Sequence, residues 1–268
     1  MASAHGSKGL SEAPPKSLRV RLDAELVARG LAESRMKAQA LILAGRVLVD
    51  GCVASKCGSP VRATQRVAVA PAPRPYVSRG GSKLEGAIED FGLSCDGKAA
   101  LDVGASTGGF TDCLLRRGAR KVYAVDVGEK LIDDRLRRDP RVVVIEKINF
   151  RHAPADLLPE KVAIAAVDVS FISLRHILPS LVRFLLSGAE VLALVKPQFE
   201  AGRAAVGRGG VVRDDGKRLE AVLGVREFAE RLGFAVEGQA ESRIKGPSGN
   251  REVFLHLRWT GCTDAEWP

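Results

Sequence analysis

The last two thirds of this chain alternate short apolar runs, each typical of a buried strand, with segments of helical pattern. The apolar runs fall at 98–106, 121–128, 142–149, 162–171 and 190–197, and the helix-like segments include 108–118, 174–185 and 218–233. Strands that alternate with helices usually pair in parallel, so this order predicts an α/β fold with a mostly parallel sheet and helices on both faces. Two last strands, joined through a Gly/Pro/Asn turn, predict an antiparallel hairpin at the sheet edge.

Residues 18–70 predict a second, smaller α/β module, and a length of 268 residues leaves room for two domains. Ser34 is placed to cap a helix in which Ala40 and Leu43 are expected to face inward. The Asp50-Gly51 pair between two valine-rich runs predicts a tight hairpin turn.

Composition divides the rest of the chain. The N-terminal residues are small, polar and rich in proline, and three prolines separate the two modules. The predicted organisation is a disordered tail at 1–17, the small module at 18–70, a linker at 71–77, the large domain at 78–259 and a tail at 260–268.

The positive charge is concentrated in the small module. The net charge is +9, and the first 75 residues hold 12 Lys and Arg against 5 Asp and Glu. This asymmetry indicates a nucleic-acid partner for the small module. The five cysteines form no C-x-x-C pair and the four histidines have no ligand spacing, which predicts neither disulfides nor a metal site. No run is long and apolar enough to span a membrane, and we expect a cytoplasmic protein.

The stretch RLDAELVARGLAESRMKAQALILAGRVLVDG, at 21–51, resembles the S-four RNA-binding domain of a small-subunit ribosomal protein. The resemblance covers about fifty residues and implies that two helices carry cationic and polar side chains to RNA phosphates. The implied RNA-facing residues are Arg19, Arg21, Ser34, Arg35, Lys37 and Gln39.

A glycine-rich loop follows the first strand of the large domain, in LDVGASTGGF at 101–110. Its G-x-x-x-G-G spacing fits neither the dinucleotide fingerprint nor the P-loop. Asp126 ends the next strand, where a carboxylate can accept hydrogen bonds from a ribose diol. This combination resembles the Rossmann-like S-adenosylmethionine enzymes. The expected cofactor-binding residues are Gly104, Ala105, Ser106, Thr107, Gly108, Gly109, Asp126, Asn149 and Asp168.

Two charged residues follow apolar strands, Asp168 and Lys196, and a third, Lys83, precedes the first strand. Ligands of parallel sheets bind at the carboxyl ends of strands, so we expect Asp168 and Lys196 to lie on the same edge as Gly104. The alternative is that these two residues form a purely structural ion pair.

Lys83, Asp168, Lys196 and Glu252 match the Lys-Asp-Lys-Glu tetrad of the FtsJ-like ribose 2′-O-methyltransferases. Nearly the whole chain resembles the TlyA family of ribosomal RNA methyltransferases, once labelled hemolysins. The motifs that carry this resemblance are RPYVSRGGSKLE, LDVGASTGGFTDCLL, AVDVG, DVSFISL, LVKPQFE, GRGGVVRD and GPSGNREVF. The resemblance implies S-adenosylmethionine as cofactor and a cytidine ribose of small- or large-subunit rRNA, in ribosomal subunits, as substrate.

We expect each member of the tetrad to have its own role. Lys196 takes the hydroxyl proton or stabilises the alkoxide, and Asp168 orients Lys196 and Lys83. Lys83 adds positive charge, and Glu252 steers Lys196 or the ribose. The glycine- and arginine-rich segment 201–218 is expected to be a mobile loop that brings Arg203, Arg208 and Arg213 to RNA phosphates.

Other functions fit the sequence less well. Amino-group methyltransferases commonly use [DN]-P-P-[FY] where this chain has DVSF at 168–171, and cytosine C5 enzymes use a Pro-Cys pair that this chain lacks. A non-catalytic rRNA-binding or ribosome-assembly factor stays open, as does the membrane-lytic activity in the old family label. A dinucleotide oxidoreductase is the least favoured alternative because of the loop spacing.

Overall fold

The computed structural model describes residues 19–70 and 76–261. The predicted tail at 1–17, most of the linker at 71–77 and residues 262–268 of the last tail lie outside the described residues. The chain divides into two compact units, one ending at Arg74 and the other beginning at Pro75.

The N-terminal unit combines two helices with two small antiparallel sheets. Its elements are β1 (Arg19–Arg21), α1 (Leu22–Ala28), α2 (Arg35–Leu43), β2 (Val47–Val49), β3 (Cys52–Val53), β4 (Pro60–Arg62) and β5 (Val67–Val69). One sheet pairs β1 with β4, and the other has the order β3-β2-β5. The predicted hairpin turn is confirmed, since Asp50 and Gly51 both take positive φ, 51° and 84°, as primed turns require.

Helix α2 begins as predicted but buries a different face. The hydroxyl of Ser34 accepts a hydrogen bond from the backbone N–H of Lys37 at 3.3 Å, which confirms Ser34 as the cap. Ala38 and Ile42 face the core, whereas Ala40 and Leu43 are exposed, Leu43 by 74%. The prediction that Ala40 and Leu43 face inward is therefore wrong. Residues four apart share a helix face, so a core face built on Ala38 and Ile42 excludes both.

The C-terminal unit is a seven-stranded sheet covered by helices. Its elements are α3 (Arg79–Asp90), β6 (Ala99–Val103), α4 (Gly109–Arg116), β7 (Lys121–Val125), α5 (Asp134–Arg137), β8 (Val142–Ile145), β9 (Val162–Val167), α6 (Leu178–Leu181), β10 (Leu185–Val195), α7 (Pro197–Glu200), α8 (Asp215–Arg231), β11 (Phe234–Glu241) and β12 (Val253–Trp259). The strand order is β11-β12-β10-β9-β6-β7-β8. The five strands from β10 to β8 are parallel, and the β11–β12 hairpin joins them antiparallel at one edge, as predicted.

Alternate residues of each central strand face opposite cores. Leu101 and Val103 of β6 pack in the core that α6 and α8 cover, whereas Ala100 packs in the core beneath α3, α4 and α5. This two-residue alternation gives the sheet helices on both faces. The helix expected at 174–185 is broken into two 3-10 turns and the single α-helical turn of α6. Pro179 lies in that turn, and proline cannot continue a helix beyond its first turn.

Strand direction places four loop starts on one edge of the sheet. Gly104, Asp126, Asp168 and Lys196 come directly after β6, β7, β9 and β10. Among the described residues, the helices are too short or too polar for any of them to cross a membrane.

Candidate active site

The loop after β6 approaches the end of β9 so closely that only glycine fits at its first position. Gly104 has φ of 84°, and a Cβ atom there would lie 2.6 Å from the carbonyl oxygen of Asp168. Gly108 takes φ of 94° and starts α4. The expected loop residues 104–109 therefore form a tight turn from strand to helix. Four of its backbone N–H groups donate within the protein, whereas those of Thr107 and Gly109 have no acceptor among the described residues.

Asp126 is fixed beside this loop. One carboxylate oxygen accepts a hydrogen bond from the backbone N–H of Ser106 at 2.8 Å, and the other accepts from Gly128 at 2.7 Å. A cavity of about 460 Å³ opens here, lined by Gly104, Ser106, Asp126, Asn149 and Asp168 among others. Its volume is in the range of small-molecule sites, about 300–1,000 Å³.

A second cavity, of about 380 Å³, lies on the α3 side of the same loop. It shares Gly104, Ser106 and Asp168 with the first, and Lys83 lines it as well. The two cavities therefore meet at the glycine-rich loop and at Asp168. Two cavities that share a wall suit two reacting molecules placed side by side.

The four tetrad residues form two ion pairs in the structure. Lys196 Nζ lies 2.6 Å from Asp168 Oδ1 and donates to Ser170 Oγ at 2.8 Å. Lys83 Nζ donates to Glu252 Oε2 at 2.6 Å, and both of these side chains are buried. Asp168 was expected to orient both lysines, but the carboxylate that holds Lys83 belongs to Glu252.

Strand register explains how the two pairs come together. Val195 of β10 lies opposite Val253 of β12, so Lys196 and Glu252 occupy neighbouring positions at the ends of adjacent strands. Lys83 reaches Glu252 from α3, a helix that the sequence did not predict. Residues from four elements thus meet at one edge of the sheet.

Asp102 is a buried acid that our list of site residues missed. Its side chain is fully buried in β6, and its Oδ2 accepts a hydrogen bond from the hydroxyl of Thr111 at 2.7 Å. Burial and the nearby negative charges of Asp168 and Asp126 raise the pKa of Asp102 to about 7, against the lowering effect of the Thr111 hydrogen bond. Its position two residues before Gly104 could have identified it from the sequence as a neighbour of the glycine-rich loop.

The segments after β9 and β10 are tied to each other. Glu200 accepts hydrogen bonds from the Ser173 hydroxyl at 2.6 Å and from the Leu174 backbone N–H at 2.8 Å. The rings of Phe171 and Phe199 lie 5.2 Å apart. Phe171 takes φ of 65°, is 91% exposed and lines the larger cavity. In the sequence, these contacts are represented by the two motifs DVSFISL and LVKPQFE, which contain the contacting residues.

The arginine-rich segment ends earlier than expected. Asp214 accepts a hydrogen bond from the Lys217 backbone N–H at 3.0 Å and caps α8, so 215–218 are helical rather than loop. Asn250 holds the segment through Val212 N–H at 3.0 Å and the Gly210 carbonyl at 2.7 Å. The expected RNA contacts Arg203, Arg208 and Arg213 lie in this segment and are not among the residues that line the two cavities.

Three of the expected RNA-facing residues of the N-terminal unit surround one buried acid. Asp23 is fully buried and accepts hydrogen bonds from Arg21 at 2.9 and 3.1 Å, from Arg35 at 3.3 Å and from Gln39 at 3.0 Å. These donors hold the pKa of Asp23 well below its usual range. The sequence analysis missed Asp23, which orders two of the guanidinium groups that face solvent.

The other two cations of the expected RNA-facing set lie at the surface. Lys37 forms an exposed ion pair with Glu33, and Arg19 is exposed in β1. An exposed pair of this kind contributes little to stability and opens readily. Both cations are therefore accessible to a polyanion.

Comparison with known proteins identifies the family. The model of the FtsJ-like methyltransferases matches residues 76–259, and the model of the S4 domain matches residues 20–67. A curated relative from Mycobacterium tuberculosis, 16S/23S rRNA (cytidine-2'-O)-methyltransferase TlyA, is 48% identical over 241 residues, 90% of each chain. The chain belongs to the TlyA family of FtsJ-like methyltransferases.

Other TlyA-like proteins agree with this assignment over the same span. Hemolysin A of Brachyspira hyodysenteriae is 41% identical over 239 residues, which cover 89% of this chain and 99% of the relative. A solved structure from Streptococcus thermophilus superposes with a TM-score of 0.68 at 42% identity, over 91% of this chain and 90% of that one. The TlyA resemblance predicted from the motifs is confirmed, and the sheet is typical of class I S-adenosylmethionine-dependent methyltransferases.

Proposed function

We propose that this chain transfers a methyl group from S-adenosylmethionine to the 2′-oxygen of a cytidine ribose in ribosomal RNA. The observation that carries the proposal is the pair of lysine–carboxylate contacts, Lys196–Asp168 and Lys83–Glu252, beside the glycine-rich loop. The activity in the name of the M. tuberculosis relative supports the same reaction and acceptor.

The residues around the larger cavity fit the cofactor. Asp126 can accept hydrogen bonds from a ribose diol, because each oxygen uses only one of its acceptor sites for backbone N–H. The N–H groups of Thr107 and Gly109 have no acceptor among the described residues and can donate to a ligand beside the smaller cavity, and Asn149 lines the larger cavity with a polar side chain. When bound, S-adenosylmethionine supplies a methyl group on a positively charged sulfur.

Lys196 is assigned to the acceptor hydroxyl. Asp168 and Ser170 both contact its amine, which fixes the direction in which the amine points. A ribose hydroxyl is a weak nucleophile, so catalysis requires alignment and a group that takes its proton. In this assignment Lys196 takes the proton as a neutral amine, and Asp168, the positioning residue, pairs with the ammonium ion that forms.

Lys83 and Glu252 are assigned to the electrostatics of the acceptor site. Lys83 lines the smaller cavity, where its ammonium offsets negative charge that develops on the acceptor oxygen. Glu252 keeps this buried lysine paired, since an unpaired buried charge would be costly.

The RNA is assigned to two surfaces. The S4 domain presents Arg21 and Arg35 in a fixed array around Asp23, a geometry suited to phosphates. In the catalytic unit, Phe171 offers an exposed ring at the cavity, and aromatic rings stack on unpaired bases. Arg203, Arg208 and Arg213 add positive charge for the backbone in this proposal.

The test offers labelled S-adenosylmethionine together with small subunits, large subunits or naked rRNA. We expect incorporation at a cytidine whose 3′ phosphodiester bond becomes resistant to alkaline hydrolysis. Lys196→Ala should lower the rate about 10²–10⁴-fold, the usual contribution of a positioned proton acceptor.

Lys217→Ala is the matched control, because it also removes a lysine from an ion pair but on the exposed surface of α8. It should leave the rate unchanged. A base-methylated product would contradict the ribose assignment, and full activity of Lys196→Ala would contradict the role of that residue. Cofactor binding without incorporation into any RNA would favour an assembly factor.

A further inference from the structure

Asp102 is a fully buried acid with no cationic partner among the described residues, and it lies two residues before Gly104, which lines both cavities. Its Oδ2 accepts from Thr111, whereas its Oδ1 is buried with no hydrogen-bond partner among the residues the structure describes. A buried carboxylate with an unpaired oxygen is costly, which favours the protonated, neutral acid.

The neighbouring carboxyl groups of Asp168 and Asp126 also favour the protonated form of Asp102. β6 lies between β9 and β7, where Asp102 pairs in register with Ala166 and with Ala124. Asp168 and Asp126 follow two residues later on the two flanking strands. Asp102 is therefore the central member of three carboxyl groups.

Among the described residues, one ammonium group, that of Lys196, contacts any of these three carboxyl groups. Lys196 pairs with Asp168, Asp126 accepts only backbone N–H groups, and Thr111 of α4 offers Asp102 a neutral hydroxyl. In this setting the pKa of Asp102 is about 7, so the free site holds a proton that a nearby positive charge can displace.

We propose that Asp102 makes the cofactor site selective for charge, because it gives up its proton when the cationic cofactor binds and keeps it when the neutral-sulfur product binds. The inference rests on the proposed function, since it takes S-adenosylmethionine as the ligand. The released proton passes to the buffer, and no bond other than the O–H bond of Asp102 is broken.

The difference between the two ligands is a single charge. S-adenosylmethionine carries a sulfonium ion, and S-adenosylhomocysteine carries an uncharged sulfide. An opposite charge close to a carboxyl group stabilises its ionised form and lowers its pKa by about 1–3 units. Above neutral pH, Asp102 is already ionised before a ligand binds, so it attracts the cationic methyl donor and adds no attraction for the neutral product. Selectivity for the donor therefore increases with pH.

The experiment measures binding by calorimetry with the full-length protein and without RNA. S-adenosylmethionine, S-adenosylhomocysteine and sinefungin, whose amine is cationic at the position of the sulfonium, are titrated at pH 6 and 7.5 in buffers of different ionisation enthalpy. We expect the two cationic ligands to bind about eightfold more tightly at pH 7.5 and to release about half a proton at pH 7. S-adenosylhomocysteine should change less than about twofold.

Asp102→Asn is the matched variant, because the amide keeps an acceptor for Thr111 and stays uncharged. Its affinities for the three ligands should show no dependence on pH beyond that of the ligands' own ammonium groups, which the wild-type protein shares. Thr111→Val provides a second variant of nearly equal size. It removes the hydroxyl hydrogen bond that favours ionised Asp102 and keeps the backbone contribution of residue 111, so the rise in affinity should move to higher pH.

The outcomes separate this inference from the proposed function. Equal pH dependence for the cationic and neutral ligands, or unchanged proton release in Asp102→Asn, would overturn the role of Asp102 and leave the methyltransferase assignment intact. Failure of all three ligands to bind would overturn both.

Discussion

The two units of this chain each bury an aspartate completely, and the two carboxyl groups respond in opposite ways. Asp23 in the S4 domain accepts hydrogen bonds from Arg21, Arg35 and Gln39, and its pKa is lowered. Asp102 in the catalytic unit accepts hydrogen bonds only from Thr111 among the described residues, and burial raises its pKa to about 7. Neither carboxyl group is exposed to solvent. Desolvation is the largest influence on Asp102, which lies deep in the sheet, whereas hydrogen bonds outweigh it at Asp23, which lies beneath two exposed arginines.

Glu200 shows which property of the donors matters. It accepts two hydrogen bonds, from Ser173 and from the backbone of Leu174, yet burial still raises its pKa. Two neutral donors therefore do not offset the desolvation of a largely buried carboxylate, whereas the arginine-rich set around Asp23 does. In the proposals above, ionised Asp23 orders the arginine side chains that would contact RNA, and protonated Asp102 can ionise when a cationic ligand binds.

The largest effect on stability is expected for Asp102→Asn. The folded protein keeps this proton up to about pH 7, whereas an unfolded aspartic acid loses it near pH 4. Raising the pH through this window therefore favours the unfolded chain, by up to about 4 kcal/mol over about three pH units. The variant should match the wild type at pH 4 and be more stable at pH 8, as measured by hydrogen exchange of the β6 and β9 amides.

Asp134→Asn is the control for this measurement, because Asp134 is an exposed acid on α5 paired loosely with Arg138. It should leave the pH dependence of stability unchanged. If Asp102→Asn were destabilising at pH 8 as well as at pH 4, Asp102 would be an ionised partner like Asp23, and the contrast between the two units would fail.

The opposite sign is expected for Asp23→Asn, with a smaller magnitude. The native pKa of Asp23 is lowered, so its stabilisation is present above the unfolded value, about pH 4, and is lost as the pH falls. Replacing the carboxylate should destabilise the S4 domain by about 2 kcal/mol at pH 7, the usual contribution of hydrogen bonds to a charged group.

Hydrogen exchange of the α1 and α2 amides reports this change separately from the catalytic unit. Glu33→Gln is the control, since Glu33 pairs with Lys37 on the exposed face of α2 and should have no measurable effect. Faster exchange throughout the catalytic unit in Asp23→Asn would show that the substitution acts beyond the S4 domain.

The sequence predicts those features of the two units that depend on local residue pattern. Strand-ending residues such as Asp168 and Lys196 could be placed on one edge because parallel strands share a direction, and Ser34 could be recognised as a cap from its position alone. The inward face of α2 could not, because Met36, Ala40 and Leu43 form an apolar stripe that competes with the true core positions.

Pairings between distant residues need the tertiary structure. Lys83 and Glu252 lie 169 positions apart, and their contact depends on α3, which has two glycines, Gly80 and Gly81, in its first turn. The state of a buried acid is equally inaccessible from sequence. Asp23 and Asp102 each stand beside apolar residues, and only the donors around them, supplied by other elements, separate the two.

The smallest effect is expected at Glu200, where substitution separates charge from hydrogen bonding. Glu200→Gln keeps an acceptor for the Leu174 N–H and can donate to Ser173, so stability and turnover should stay close to wild type.

Glu200→Ala removes both contacts, which should lower stability by about 1 kcal/mol and reduce kcat several-fold with little change in KM. The loss in kcat follows because the segment after β9 carries Asp168 and Ser170, which fix Lys196. Steady-state kinetics on both variants shows whether the hydrogen bonds or the charge of Glu200 matter. Equal losses of activity in the two variants would mean that the negative charge is required. The raised pKa of Glu200 would then make activity fall at mildly acidic pH. Full activity in both variants would mean that the Phe171–Phe199 contact is enough to hold the two segments together.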